Sequence, residues 1–588
     1  MYGSWNLDNL YVGFDDPKFL GDFEALPMAI KSLVDYANVA FVDLENASEK
    51  IETYVSMILD FSKYYNILRY CSLVTSVDSE NTVALNYMNQ AQLQLSDAVV
   101  ASTLFTKFVA SIDNIDEIIG SSELLKEHEF FLKEEIASGS YMLSTPEEVV
   151  YAKMRLTGSN AWSTLYRQLT STLEVNINLD GEDKLITLSE VRNLAEHPDA
   201  SVRKTAYHAE LASYEKIEKS IAAALNAIKG EALTNVAQRG YKSVIDMTLH
   251  SSRMDELTLD ALLSTMKESL PLFTKYFKHK AKLLGHSGSL PFYDLFAPIG
   301  SSSATFSKEE GSAFMIKNFS DFDPEMGEFA KNAIENDWVD WDPKKGKVGG
   351  AFCANLHNIK ESRVLMNYSE SFGDVLTLAH EFGHAYHGYA LQDETYLNSG
   401  YSMPIAEVAS IFCETLVCNA ALKTANDEDK LSIIETNLQG SSQVIVDIYS
   451  RYLFESEMIS RRENGNLSVN ELKSIMLDAQ NNAYLDGLTD ERHPYMWLCK
   501  GHYYSAGLNF YNFPYAYGLL FAKGLYSIYL KEGASFAKKY KALLAATGKN
   551  DLYTVGQIIG IDVRDKAFWQ GAIEVIAGEI DTFVNLKV

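Results

Sequence analysis

Two histidines four residues apart in a helix-forming stretch constrain this chain more than any other feature. They are His380 and His384, in the run Leu378-Ala379-His380-Glu381-Phe382-Gly383-His384-Ala385. An α-helix turns once every 3.6 residues, so both imidazoles leave one face about one turn apart and can reach a single metal ion. They supply half of a tetrahedron, and the fold has to bring the remainder from elsewhere in the chain. Glu381 points to the side of the pair, where its carboxylate can take a proton from an activated water without being a ligand. With 12 histidines among 588 residues, H-E-x-x-H arises by accident in about one such chain in fifty.

The surroundings favour a helix from about Gly373 to about Leu391. Ser371 and Asp374 have the S-x-x-D spacing of a capping pair, and Val375, Leu376, Leu378, Ala379 and Phe382 follow with helical periodicity. Asp374 is therefore read as a first-turn acid rather than a ligand. Gly383 costs about 1 kcal/mol against alanine in a helix, which implies that a neighbouring chain approaches at that point.

Catalytic zinc normally has three protein ligands and one open position. His387, seven residues from His380, lies too far along the axis to share the ion and is assigned to packing or to outer support. The metzincin pattern needs glycine at position 387 and histidine at position 390, where this chain has His387 and Ala390. Glu407 is the third candidate, in Met403-Pro404-Ile405-Ala406-Glu407-Val408-Ala409-Ser410-Ile411-Phe412-Cys413-Glu414, which again has helical periodicity after a proline start. Ser410 and Glu414 fall near its face, so Glu414 can fix the tautomer of a ligand histidine. The intervening residues are almost wholly apolar, and a carboxylate in that company needs a cation.

H-E-F-G-H followed by E-V-A-S-I-F-C-E resembles the M3 family of metallopeptidases, and most of all its oligoendopeptidase F branch. Trp5-Asn6-Leu7-Asp8-Asn9-Leu10-Tyr11, Arg239-Gly240-Tyr241-Lys242-Ser243 and Gly346-Lys347-Val348-Gly349-Gly350-Ala351-Phe352-Cys353 are similar to further segments of that branch, so the resemblance spans essentially the whole chain. It implies one zinc ion per chain on His380, His384 and Glu407, Glu381 as general base and proton shuttle, and Glu414 behind the ligands. It also implies a mainly α, two-lobed gluzincin-type fold with a small β-sheet beside the zinc helix and a deep central substrate channel. The expected division is an amino-terminal helical domain over 1–190 and a catalytic domain over 191–588. The implied activity is endopeptidase cleavage of short peptides.

A peptide hydrolase must also stabilise the oxyanion that forms at the attacked carbonyl. The tract 501–518 supplies one histidine, His502, and five tyrosines, Tyr503, Tyr504, Tyr511, Tyr515 and Tyr517, although tyrosines also pack at half-buried surfaces. Here the M3 resemblance points to His502, Tyr515 and Tyr517, with Tyr511 and Tyr504 as substitutes. Arg363-Val364-Leu365-Met366-Asn367-Tyr368 reads as a strand, expected at a sheet edge where a bound peptide would add an antiparallel partner.

Amphipathic runs, such as 84–119 and 201–237, outnumber the strands expected near 173–187 and 363–368. Asn178-Leu179-Asp180-Gly181-Glu182-Asp183-Lys184 reads as a hairpin turn, and the glycine- and serine-rich stretch 300–304 as a loop in the catalytic part. A net charge of -28 excludes a nucleic-acid partner and favours cationic peptides. The five cysteines, none in C-x-x-C, imply reduced thiols in a cytoplasmic protein. No signal peptide and no membrane span are expected; the apolar run 513–530 is broken by Pro514 and Lys523. Two rivals to an endopeptidase are a zinc exopeptidase with the same ligands, for which no G-x-M-E-N motif is present, and a non-enzymatic peptide-binding helical protein, which the intact Glu381 disfavours.

Overall fold

Helical periodicity dominates the sequence, and the computed structural model, which describes residues 2–300 and 305–586, is correspondingly helical with two small sheets. Most of the serine-rich loop, 301–304, lies outside the described residues. The first long helix, α1 (Pro17–Ala40), starts where Asp16 accepts the Lys18 N–H and Pro17 fills a position that needs no donor. The amphipathic run 84–119 is interrupted, because α2 (Thr82–Asp97) and α3 (Val99–Ala110) meet at Ala98 and α3 ends at Ser111. These elements share a core that includes Leu26, Val55, Phe105 and Leu132.

The hairpin forms as its turn chemistry requires. β1 (Glu174–Leu179) pairs antiparallel with β2 (Glu182–Thr187), with Asp180 and Gly181 both at positive φ, the two-residue turn that glycine and aspartate favour. The run 201–237 likewise divides, into α4 (Ala200–Tyr214) and α5 (Glu218–Arg239), the latter ending on Gly240 at φ 82°. A second, larger core begins at Tyr166 and takes in the hairpin residues Val175 and Ile177.

The other sheet carries a correction. Its order is β3 (Val339–Asp340), β5 (Glu361–Leu365), β4 (Phe352–Leu356), with β5 parallel to β3 and antiparallel to β4. The strand expected at an edge is thus central. Beyond β5, the Met366 and Tyr368 N–H groups donate to Asp340 and Trp341 carbonyls. The available edge belongs to β4. Leu356 and Leu365 pack into the first core, so the sheet ties both bodies together.

α6 (Phe372–Ala390) follows the sheet, and α7 (Val408–Thr424), α8 (Ile448–Arg462), α9 (Phe513–Glu532) and α10 (Lys566–Asn585) complete the frame around it. Met403–Thr424 has the length and apolarity of a membrane span, contrary to the sequence expectation. Its apolar residues are used inside the protein: Val408, Phe412 and Val417 are buried between α6 and α9. A cavity of about 1170 Å³ separates the two bodies, with Tyr65, Arg69 and Glu134 on one wall and Tyr389, Tyr401 and Ser402 on the other.

Candidate active site

The site rests on the crossing of α6 with α7. Ser371 caps α6 by accepting the Asp374 N–H, and Asp374 returns to the Ser371 N–H, as the S-x-x-D spacing implies. At the crossing, a side chain on Gly383 would meet the Ala409 carbonyl oxygen and the Ser410 Cα, each at 2.5 Å. The neighbouring chain inferred from this glycine is therefore the first turn of α7. That backbone-to-backbone approach brings Glu407 opposite the histidine pair.

Glu407 does not lie within a continuous helix. It occupies the break between a short turn, Met403–Ala406, and α7, with φ −90° and ψ 0°. Ser410 Oγ donates to its carbonyl and, at 3.0 Å, to its Oε2, which orients the carboxylate. Gly518 of α9 closes the other side, since a Cβ there would stand 3.1 Å from the Glu407 Cβ.

Three donor atoms converge. Glu407 Oε2 is 3.3 Å from His380 Nε2 and 3.4 Å from His384 Nε2. A tetrahedron with bonds of about 2.0–2.1 Å has edges of about 3.3–3.4 Å, so the spacing fits one zinc-sized ion. Behind the ring, His380 Nδ1 lies 3.2 Å from Glu414 Oε2, and Asn355 of β4 donates to the His384 carbonyl. Burial lowers the proton affinity of His380, but Glu407 and Glu414 outweigh it and hold its pKa up at about 10. Burial works against ionised Glu407, yet the two imidazoles keep its carboxyl far below the usual range. Such a cluster calls for positive charge, which a divalent cation supplies without protonating the imidazoles.

Glu381, 6% exposed, stands beside this ring. Burial raises its pKa; the two histidines lower it, Glu407 raises it, and the Cys353 N–H facing it from β4 lowers it. His387 takes no part in the donor ring. It is fully buried, pairs through Nε2 with Thr547 Oγ1 and stacks on Tyr401 at 4.0 Å, and burial holds its pKa down at about 3.

The aromatic tract divides into two sets. His502 stacks on Tyr511 at 5.3 Å, and Tyr511 meets Tyr515 edge-on at 5.8 Å. Burial, Tyr511 and the Glu407 charge raise the Tyr515 pKa, so this phenol lies within the field of the donor ring and keeps its proton. Burial and then the Arg451 and Lys500 charges lower the His502 pKa. Tyr517 lies elsewhere. On a helix, residues 515 and 517 point about 200° apart, and Tyr517 is fully buried between Phe521 and Trp569, the latter on α10. Its pairing with Tyr515 as an oxyanion donor is withdrawn on that ground. Tyr504 is committed to Tyr166, on which it stacks, and to the Trp497 carbonyl, to which it donates.

Sequence reasoning missed Asn355 and the edge of β4, because nothing in Phe352-Cys353-Ala354-Asn355-Leu356 marks a strand beside a metal. The profile of "Peptidase family M3" matches residues 193–575, and that of "Oligopeptidase F" matches residues 110–174. The chain belongs to peptidase family M3. This M3 metallopeptidase is 25% identical over 593 residues to oligopeptidase PepF of Bacillus subtilis, covering 99% of this chain and 87% of that protein. It is 24% identical to an oligoendopeptidase F homologue of Lactococcus lactis, covering 99% and 97%. A crystal structure from Chlamydophila abortus shares the fold at a TM-score of 0.87 and 20% identity, covering 99% and 98% of the two chains. Oligoendopeptidase-F from Enterococcus faecium superposes at 0.70 with 18% identity, covering 97% and 99%.

Proposed function

We propose that His380, His384 and Glu407 of this M3 peptidase hold one zinc ion and that Glu381 is its general base, making it an oligoendopeptidase. The observation that carries this reading is the convergence of two imidazole nitrogens and one carboxylate oxygen at 3.3–3.4 Å with Glu381 adjacent. Zinc, when bound, acidifies water toward a pKa of about 7 and polarises a carbonyl. Glu381 takes the proton of the attacking water and delivers it to the leaving amine; a carboxyl whose pKa is raised by burial suits both transfers. Glu414 fixes the tautomer of His380. His502 and Tyr515 donate to the oxyanion, with Tyr511 holding both rings in place.

The free edge of β4, with Cys353 facing Glu381, is the place for the peptide backbone to pair, so binding draws on main-chain hydrogen bonds and tolerates varied side chains. Short peptides as substrates agree with the names of the relatives. A division near residue 190 and a cytoplasmic setting, suited to five unpaired thiols, complete the reading. Internally quenched peptides blocked at both ends test it. Wild-type protein cleaves them, and Glu381→Gln retains its metal but loses cleavage by about a thousandfold. Equal turnover by the variant would remove Glu381 from its role, and failure of the wild type to cut blocked peptides would favour the exopeptidase.

A further inference from the structure

The aromatic tract is seated on α8 through buried charges. Asn512 occupies the N-cap of α9, where an asparagine side chain ordinarily accepts a hydrogen bond from its own helix, yet it makes no such bond. Its Oδ1 instead accepts from Arg451 Nη1 at 2.8 Å. The other amino group of that guanidinium, Nη2, donates to Asp447, which also accepts from the Tyr484 hydroxyl at 3.2 Å. Asp447 closes a π-helical turn, Gln443–Asp447, a distortion that proteins concentrate at functional positions.

At Asn509 the pattern recurs. Its Oδ1 accepts from Lys229 Nζ of α5 at 2.7 Å, and the same ammonium donates to Glu455 of α8 at 2.7 Å. Glu455 stands one turn beyond Arg451. Arg451, Asp447, Lys229, Glu455 and both asparagines are buried. Between the two asparagines, Phe510 has φ 51°, in the left-handed region that a residue with a Cβ rarely occupies, and its ring packs on Tyr452 of α8 at 5.4 Å. Backbone strain of this kind costs free energy and persists only where the surroundings over-determine it.

Ion pairs buried behind one short turn, Arg451 with Asp447 and Lys229 with Glu455, are a poor means of gaining stability, since desolvation offsets most of their attraction. What they fix is direction. Tyr511 lies between the two anchored asparagines, stacks on His502 and meets Tyr515 edge-on, and the Tyr515 N–H donates to the Asn512 carbonyl at 3.1 Å. Tyr511 and Tyr515 therefore move with Asn512, and His502 with Tyr511. Burial lowers the His502 pKa and raises that of Tyr515; the Arg451 charge lowers both. We propose that Arg451 and Lys229 are positioning residues: by gripping Asn512 and Asn509 they hold the turn 509–512 in its strained shape and aim Tyr511, Tyr515 and His502 at the attacked carbonyl. This rests on the assignment of His502 and Tyr515 as oxyanion donors.

The test uses the metal-loaded enzyme and an internally quenched peptide. Asn512→Ala, which deletes the acceptor and leaves the ion pair behind it intact, is expected to lower kcat about tenfold with KM within about twofold and metal content unchanged. Asn512→Asp, which keeps the acceptor, is expected to restore kcat to within about threefold of wild type. Added to Tyr515→Phe, Asn512→Ala is expected to cost less than about threefold more, because a group it aims is already gone. Arg451→Lys, whose ammonium cannot reproduce the two-ended fork, is expected to lower kcat about tenfold and carries the test if melting curves show Asn512→Ala unfolded. Wild-type kcat in folded Asn512→Ala or Arg451→Lys, or a further loss of about tenfold on adding Asn512→Ala to Tyr515→Phe, would overturn the proposal and leave the donors in place. A Tyr515→Phe enzyme as fast as wild type would remove the donor assignment, and the proposal with it.

Discussion

Two imidazole–carboxylate clusters in this molecule share a distance and differ in fate. His384 Nε2 lies 3.4 Å from Glu407 Oε2, and His493 Nε2 lies 3.4 Å from Glu210 Oε1. At Glu210 the cation is built in, because Arg192 and the Tyr214 hydroxyl both donate to that oxygen. At Glu407 no lysine or arginine approaches among the described residues; the partners are two imidazoles and the Ser410 hydroxyl. A histidine beside a glutamate is therefore not in itself a metal site. A second nitrogen on the same oxygen, and the absence of a side-chain cation, distinguish the cluster that calls for an ion.

The sharpest way to break this contrast is to neutralise each glutamate. Glu407→Gln is expected to remove bound metal and lower peptide cleavage by more than about a thousandfold, whereas Glu210→Gln leaves metal content near one per chain, as elemental analysis of purified protein would register. Next in size is the donor pair. Tyr515→Phe is expected to lower kcat by about a hundredfold with KM little changed, as for loss of an oxyanion donor, while Tyr517→Phe, inside the α9–α10 packing, alters kcat less than about twofold. Gly383→Ala forces a methyl group onto the α7 backbone, with an expected loss of about 1–3 kcal/mol in denaturant unfolding and weaker metal retention.

A smaller effect separates the clusters by pH. Burial opposes ionisation of Glu210, but His493, Arg192 and Tyr214 outweigh it and hold its pKa down at about 2. A depressed carboxyl pKa contributes stability that is present above the unfolded value of about 4.5 and lost as pH falls through about 2. Unfolding followed from pH 5 to pH 2 should therefore fall less steeply in Glu210→Gln than in wild type. Ser371→Ala, which removes only a cap, is expected to cost about 1 kcal/mol and to leave kcat intact.

What could be read from the sequence follows the range over which each signal acts. The histidine pair, its cap and the approach at Gly383 all lie on one helix, and a period of 3.6 conveys them. Glu407 was legible because Pro404 and the apolar run after it mark a helix start, although its place at the break between two helical turns was not. The Tyr-x-Tyr of the family resemblance points to Tyr515 and Tyr517 together, whereas α9 turns the two rings apart. The central position of β5 depends on a two-residue strand, Val339–Asp340, too short to carry a pattern. The division of 84–119 at Ala98 leaves no mark, because alanine is the strongest helix former and signals continuation where the chain breaks. The β4 edge could not be seen before the chain was folded, since it joins residues distant in sequence.

The missing side chain at Gly383 makes the histidine helix and the glutamate helix rest on each other's main chain, with no flexible group between them to absorb a shift. Any drift of α7 along its length is passed on undiminished to the triangle of ligand atoms. Metal release should then act as a strain gauge for the core, reporting a loosened Val417 or Phe412 well before the protein unfolds.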